Sequence, residues 1–274
     1  MRKFFFFSLI ILSSFQLLGQ TTCIKITSWN IANLGGSQHD TIIAIIANTI
    51  KQTDILCIQE VIASYKGPQA VAKLLDELKR KGADWDCSIS EPTTGNGTER
   101  YAYLWKKSSV KLLGKPWLEI ALQDSINREP YLARFISNRD TILIASFHAV
   151  PKSKNPAYEN AQLYILDSLY EKDHLLILGD FNSTTDNDGF NSLYKRELKP
   201  TLSNQKTTIK MEPHPETKER LANEYDNIFY EKDELTLIQS GAIDFTILYQ
   251  PYLQAARKIS DHIPVWGCYN VLYK

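Results

Sequence analysis

The 274-residue sequence predicts an α/β fold in which mixed β-sheets pack face to face beneath covering helices. Strand-like runs come in groups with helical segments between only some of them, which is neither a strict βαβ alternation nor an all-β pattern. No stretch rich in Pro, Gly or Ser divides the chain, and no internal repeat is present. Residues 23–274 are therefore read as one domain, long enough to bury a sizeable core.

The elements follow in order. "CIKITSWNI" (23–31) alternates as a strand does, and "QHDTIIAIIANTIKQ" (38–52) has apolar residues at helical spacing with Asp40 in the first turn. "DILCIQEV" (54–61) reads as a buried strand. "GPQAVAKLLDELKRK" (67–81) is an amphipathic helix, with Pro68 at its start and Lys/Arg at its end as the helix dipole favours. Strands are expected at 84–90, 101–106, 110–120, 131–137 and 141–147. A helix over 155–172 then leads into a strand at 174–179. Further strands are expected at 224–230, 234–239 and 263–273, and 206–224 reads as a polar loop.

Ahead of these lies "MRKFFFFSLIILSSFQLLGQTT", where Arg2 and Lys3 precede an apolar run. The run is short for a membrane span and reads as a signal peptide over residues 1–20, with a retained anchor as the alternative. A secreted or periplasmic protein is expected. The whole sequence carries 31 basic and 31 acidic residues. That balance speaks against a protein that holds nucleic acid by charge alone, though not against an enzyme that visits it. Cys23, Cys57, Cys87 and Cys268 sit in apolar runs without the Cys-x-x-Cys spacing of a zinc site, and are read as buried thiols in preference to a bridge. Were one bridge to form, Cys23 and Cys268 would be the pair, provided that the first and last strands are neighbours.

Polar groups gather where the buried strands stop. Trp29-Asn30 closes the first strand and Gln59-Glu60 the second. His148 follows 141–147, Asp180 and Asn182 follow "LLILG", Asp226 lies in or beside another strand, and "SDH" (260–262) precedes the last. Any one of these is ordinarily a cap or a turn residue. Together they suggest a site along one sheet rim. Asn30, Glu60 and Asp261 offer hard oxygen ligands, which suit Mg²⁺, Ca²⁺ or Mn²⁺ and not structural zinc. Two histidines with carboxylates available (Glu99 and Asp226) suggest oriented imidazoles. Such equipment hydrolyses a phosphate ester. No G-x-S-x-G and no P-loop competes with that reading.

The ordered set "SWNIAN" (28–33), "ILCIQEV" (55–61), "ERYAYLWK" (99–106), "REPYLARF" (128–135), "SFHAVP" (146–151), "ILGDFNS" (177–183), "EYDNIFY" (224–230) and "ISDHIPV" (259–265) resembles the endonuclease/exonuclease/phosphatase superfamily, and within it the deoxyribonuclease I branch. The likeness runs from about Ile24 to Val271. It implies a four-layer α/β sandwich, two mixed β-sheets flanked by helices. It also implies that Asn30 and Glu60 hold a catalytic cation (Mg²⁺, with Ca²⁺ or Mn²⁺ as alternatives) with Asp261 beside them. By the same resemblance Glu99 pairs with His148 and Asp226 with His262, Asp180 and Asn182 orient water and phosphate, and Arg128 contacts the DNA backbone.

The chain departs from the branch at two places. Ile62 stands where an arginine enters the minor groove, and Gly97 where a groove-contacting tyrosine is expected; the disulfide-bearing loops of the vertebrate enzymes also find no match. The expected function is a secreted, divalent-metal-dependent endonuclease cutting DNA with little sequence preference, acting as a monomer without a stable protein partner. The alternatives are a phosphodiesterase acting on a phospholipid head group or other small phosphoester, and a catalytically dead binding module.

Overall fold

The computed structural model describes residues 23–36, 39–137 and 140–271. The expected leader at 1–20 lies outside the described residues. Twelve strands form among them: β1 (Ile24–Leu34), β2 (Ile55–Ile62), β3 (Trp85–Ile89), β4 (Glu99–Lys106), β5 (Lys111–Leu118), β6 (Tyr131–Ser137), β7 (Asp140–His148), β8 (His174–Asp180), β9 (Leu198–Pro200), β10 (Asp226–Glu231), β11 (Leu235–Ala242) and β12 (Val265–Val271). The helices are α1 (Asp40–Ile50), α2 (Lys66–Arg80), α3 (Pro156–Gln162), α4 (Tyr164–Leu169), α5 (Asn191–Tyr194) and α6 (Leu253–Arg257). The single helix expected over 155–172 is two, because the ladder tightens to i→i−3 bonds at Leu163 and Leu166.

The strands make two six-stranded sheets, ordered β11-β12-β1-β2-β4-β3 and β5-β6-β7-β8-β10-β9. Both are mixed, since β1–β2 and β7–β8 are parallel while their neighbours run antiparallel. Alternation along each strand explains the layers, because successive side chains point to opposite faces. Ile26, Ile55, Tyr101, Tyr103, Phe135, Ile144, Leu176 and Ile228 fill the space between the sheets. Ile58, Leu56 and Leu104 face the other way, onto the buried stripes of α1 (Ile43, Ile46, Ile50) and α2 (Val71, Leu74, Leu78). On the second sheet Leu143, Phe147, Leu175 and Ile177 pack against Leu163 and Leu166, with Phe181, Phe190 and Phe229 stacking below. The result is the four-layer sandwich.

Cysteine pairing corrects one expectation. Cys23 and Cys268 form a disulfide, made possible because β1 and β12 lie side by side in antiparallel register. Cys57 is a buried free thiol, pushed up in pKa by that burial, and Cys87 is free and half-buried.

Candidate active site

The rim where β1, β2, β7 and β8 end carries the polar groups. Asp180 closes β8 and stands in register with His148 on β7 and with Asp226 on β10. This close approach requires glycine at position 179: its φ is +146°, and a Cβ there would lie 1.7 Å from the Phe147 carbonyl oxygen. Sheet pairing alone thus sets three of the candidate residues shoulder to shoulder.

The first sheet reaches the same place through irregularities. One extra residue of β2 is accommodated between Ile58 and Val61 against β4, and β1 bulges against β2 between Asn30 and Leu34. Such bulges re-aim side chains. Glu60 takes a left-handed φ of 60°, a strained choice for a glutamate. Its carboxylate is fastened by the Asn33 N–H (3.0 Å) and by Asn30 Nδ2 (2.9 Å). Asn30 Nδ2 also donates to Asp180 Oδ2 at 3.1 Å, tying the two sheets together.

Two carboxylate–imidazole pairs flank Asp180. Nδ1 of His148 bonds Glu99 Oε2 at 2.9 Å, and Nδ1 of His262 bonds Asp226 Oδ2 at 2.7 Å. Each Nε2 then lies 3.5 Å from the same atom, Asp180 Oδ2. Burial disfavours the charged form of both imidazoles, but the neighbouring carboxylates outweigh it. His148 is raised above the ordinary value, chiefly by Glu99, and His262 is raised to about 10 by Asp226 and Asp180. The Glu99 carboxyl is lowered: burial pushes it up, while His148, Arg128 and the Glu60 N–H more than offset that. The Asp180 carboxyl is raised, burial prevailing over the two imidazoles.

Several residues sit differently from expectation. Asp261, expected beside Asn30 and Glu60, turns its carboxylate to Arg257 at 3.3 Å. The reason is local: Ser260 Oγ donates to the Asn30 carbonyl and accepts the His262 N–H, and Trp29 Nε1 holds the His262 carbonyl, so the turn points residue 262 inward and 261 outward. Asp180 takes the place next to Asn30. Arg128, expected on the DNA backbone, is buried and employed inside the protein. Its guanidinium donates to the carbonyls of His148 and Ala149 and lies 3.3 Å from Glu99 Oε2. Asn182 donates its N–H to Asp180 Oδ1 and its amide to the Ala149 carbonyl.

One participant was not visible in the sequence. Thr207, in the stretch read as a polar loop, is fully buried and donates its hydroxyl to Asp226 Oδ2 at 2.6 Å. Thr207 Oγ1 in turn accepts the N–H groups of Tyr225 and Asp226, and the Thr207 carbonyl accepts the Ile263 N–H. A lone threonine in a loop gives no periodic or motif signal.

The donor set suits a hard cation. Asn30 Oδ1 is buried without a hydrogen-bond partner, beside the Glu60 and Asp180 carboxylates. An orphaned buried oxygen costs free energy unless something satisfies it, and oxygen donors of this kind hold Mg²⁺, Ca²⁺ or Mn²⁺. Asp180, Asp226 and His262 also offer atoms within 4.8 Å of one another. There, however, Nδ1 of His262 and Oδ2 of Asp226 are already bonded to each other, so the Asn30–Glu60–Asp180 corner is the better fit.

The profile of the endonuclease/exonuclease/phosphatase family matches residues 27–262. The chain belongs to this family. Among curated proteins, a deoxyribonuclease of Thioalkalivibrio sp. (strain K90mix) is 28% identical over 267 residues, covering 89% of this chain and 70% of the relative. Deoxyribonuclease-1 of Oryctolagus cuniculus is 25% identical over 279 residues, covering 91% and 93%. These relatives place the chain in the deoxyribonuclease I-like branch, and with the family match they support a hydrolytic phosphodiesterase. Among solved structures, a functionally unknown conserved protein from Enterococcus faecalis V583 superposes with a TM-score of 0.65 at 16% identity, over 91% of this chain and all of that one. The human Nocturnin catalytic domain with bound sulfate anion gives 0.63 at 17%, over 92% and 94%. At such identities the structural likeness speaks to the fold alone.

Proposed function

We propose that the protein is an exported, divalent-cation-dependent endonuclease that hydrolyses phosphodiester bonds of DNA with little sequence preference. The observation that carries this reading is the pair of imidazoles aimed at one carboxylate oxygen from opposite sides, each fixed by its own acid. Export is supported by the charged and apolar N-terminus and by the Cys23–Cys268 bridge, which suits an oxidising compartment. The DNA substrate is supported by the deoxyribonuclease relatives.

A phosphodiester presented to Glu60, Glu99, Asp180 and Asp226 meets mostly negative charge. Asn30, Glu60 and Asp180 would hold a cation here, which when bound neutralises phosphate oxygens and stabilises charge developing on phosphorus. The chain's own residues do the rest. His262, oriented through Nδ1 by Asp226, presents Nε2 to give a proton to the departing oxygen as the P–O bond breaks. Glu99 fixes the His148 ring through Nδ1, leaving Nε2 to take a proton from the attacking water, with Asp180 beside it. Arg128 locks Glu99 and the backbone after His148, so this pair is rigid before substrate arrives.

The test is plasmid cleavage by purified protein with Mg²⁺, Mn²⁺ or Ca²⁺, with and without chelator, beside His148→Ala. Cleavage should require a cation and fall by about 10²-fold or more in the variant. Intact plasmid under every cation, or an unimpaired variant, rejects the reading. Recovery of a shortened chain from the medium or periplasm tests export.

A second reading is a phosphodiesterase acting on a phospholipid head group. Ile247, Leu248 and Tyr252 are exposed together around the segment 245–252, an apolar surface that a membrane-working enzyme could use. Phosphocholine release comparable to nucleotide release would favour it.

A further inference from the structure

Two troughs reach the rim, one through Glu60 and Glu99 and the other through Asn182, and they differ in lining. On one side Asn33, Glu60, Ile62, Gly97, Glu99 and Arg128 border about 420 Å³. A Cβ at Gly97 would meet nothing within 4 Å, so that point is open space, and Ile62 brings no charge. A duplex held through its minor groove needs side chains that reach into it. Positions 62 and 97 supply none.

On the other side, past Asn182, a trough of about 440 Å³ is bordered by Lys152, Ser153, Thr184, Asn223 and Tyr225, with the Thr184 hydroxyl turned to the Asp186 carboxylate at the edge. Asn182 connects it to the reacting centre through its bond to Asp180. Tyr225 directly precedes Asp226, and its carbonyl accepts the N–H of Phe181, the residue after Asp180. Lys152 and Lys154 are exposed on the turn before α3 and take part in no ion pair among the described residues. A free lysine and an aromatic ring in one polar trough are the two elements that grip an unpaired strand: charge for the phosphate, a flat face for the base. Only an unpaired base offers its face to such a ring.

Resting on the nuclease reading above, we propose that this trough seats the nucleotide flanking the scissile phosphate of a single DNA strand. Its phosphate lies at Lys152 and the Ser153 hydroxyl, and its base lies against Tyr225. The substrate is therefore single-stranded DNA in preference to duplex. The rim supplies the chemistry, and this trough adds a grip on one strand.

The test compares kcat/KM for a single-stranded 20-mer, the same sequence as a duplex, and bis(4-nitrophenyl) phosphate, which has no flanking nucleotide. The full exported chain is used with the cation that supports activity. The single strand should be cut about tenfold faster than the duplex. Lys152→Glu and Tyr225→Ala should each lower the ratio of 20-mer to small-diester kcat/KM by about tenfold, mainly through KM. Tyr225→Phe should keep the ratio, because the ring and not the hydroxyl is used. Melting temperatures confirm that the variants fold, and Lys152→Glu, on an exposed residue, stands in if Tyr225→Ala does not. Duplex cut as fast as single strand, or variants that slow both substrates equally, overturns the trough while leaving the nuclease reading intact. Hydrolysis of the small diester with no cleavage of either DNA overturns both.

Discussion

Replacing Asp226 with asparagine removes one negative charge beside His262 and keeps an oxygen where Thr207 Oγ1 and His262 Nδ1 both bond. The His262 pKa of about 10 stands against an ordinary 6.5; burial opposes the rise, and Asp226 and then Asp180 overcome it. At about 1.4 kcal/mol per unit, that difference represents at most ~5 kcal/mol of preferential proton binding by the folded state. The sign follows from linkage. A folded pKa above the unfolded one stabilises fully below pH 6.5, and the contribution is lost as pH rises through about 10. Asp226→Asn should return His262 toward its ordinary value and flatten that loss. The assay is urea unfolding of chelator-treated protein at several pH values from 6 to 10, with the His262 Cε1–H followed by NMR. The wild type should lose several kcal/mol more than the variant across this range; lysines and tyrosines titrate in both and cancel in the difference. Absolute stability is the wrong readout, because Asp226 Oδ1 is buried without a partner and an amide there costs something at every pH. Parallel pH–stability curves, or one unchanged His262 midpoint, would refute the reasoning.

Removing the Thr207 hydroxyl with Thr207→Val takes one donor from Asp226 and strands two backbone N–H groups. Turnover should fall about tenfold with KM little changed, and Thr207→Ser should restore it; an equal loss in both variants argues for packing alone. Glu60→Gln should weaken Mg²⁺ binding by about tenfold or more in a calorimetric titration, since it removes a charged donor from the Asn30 corner; unchanged affinity excludes Glu60 as a ligand. The Cys23→Ser/Cys268→Ser double variant should lose about 2–4 kcal/mol of stability by urea unfolding. It should retain activity at 25 °C, because the bridge lies at the start of β1, away from the Asn30 rim; loss of activity in a folded variant would show that the bridge reaches the site.

The placement of polar residues was the most legible part of the site. His148 and Asp180 end their strands as the sequence suggested, whereas β1 runs on to Leu34 and β2 to Ile62, so Asn30 and Glu60 sit at bulges within their strands. The orientation of Asp261 was not legible. Three neighbours in one turn could each face inward, and only the bonds of Ser260 and Trp29 select His262. Arg128 was placed on the DNA backbone by the family resemblance, and its sequence gives no sign that the His148 and Ala149 carbonyls sit against it. Thr207 escaped for the same reason: its partner is nineteen residues away in a loop without periodicity.

From the order of its residues alone, this protein's strands, main helices, family likeness and the chemical types at each strand end were determined, because local alternation and motif order are written along the chain. Tertiary structure alone decided which ends meet. It made β1 and β12 neighbours and so joined Cys23 to Cys268. It set Asp180 between two imidazoles through the registers of β7, β8 and β10. It also turned Asp261 and Arg128 from the roles the family resemblance implied. The physical reason is that pairing and burial are properties of strands brought together from distant parts of the chain, and no local pattern records them.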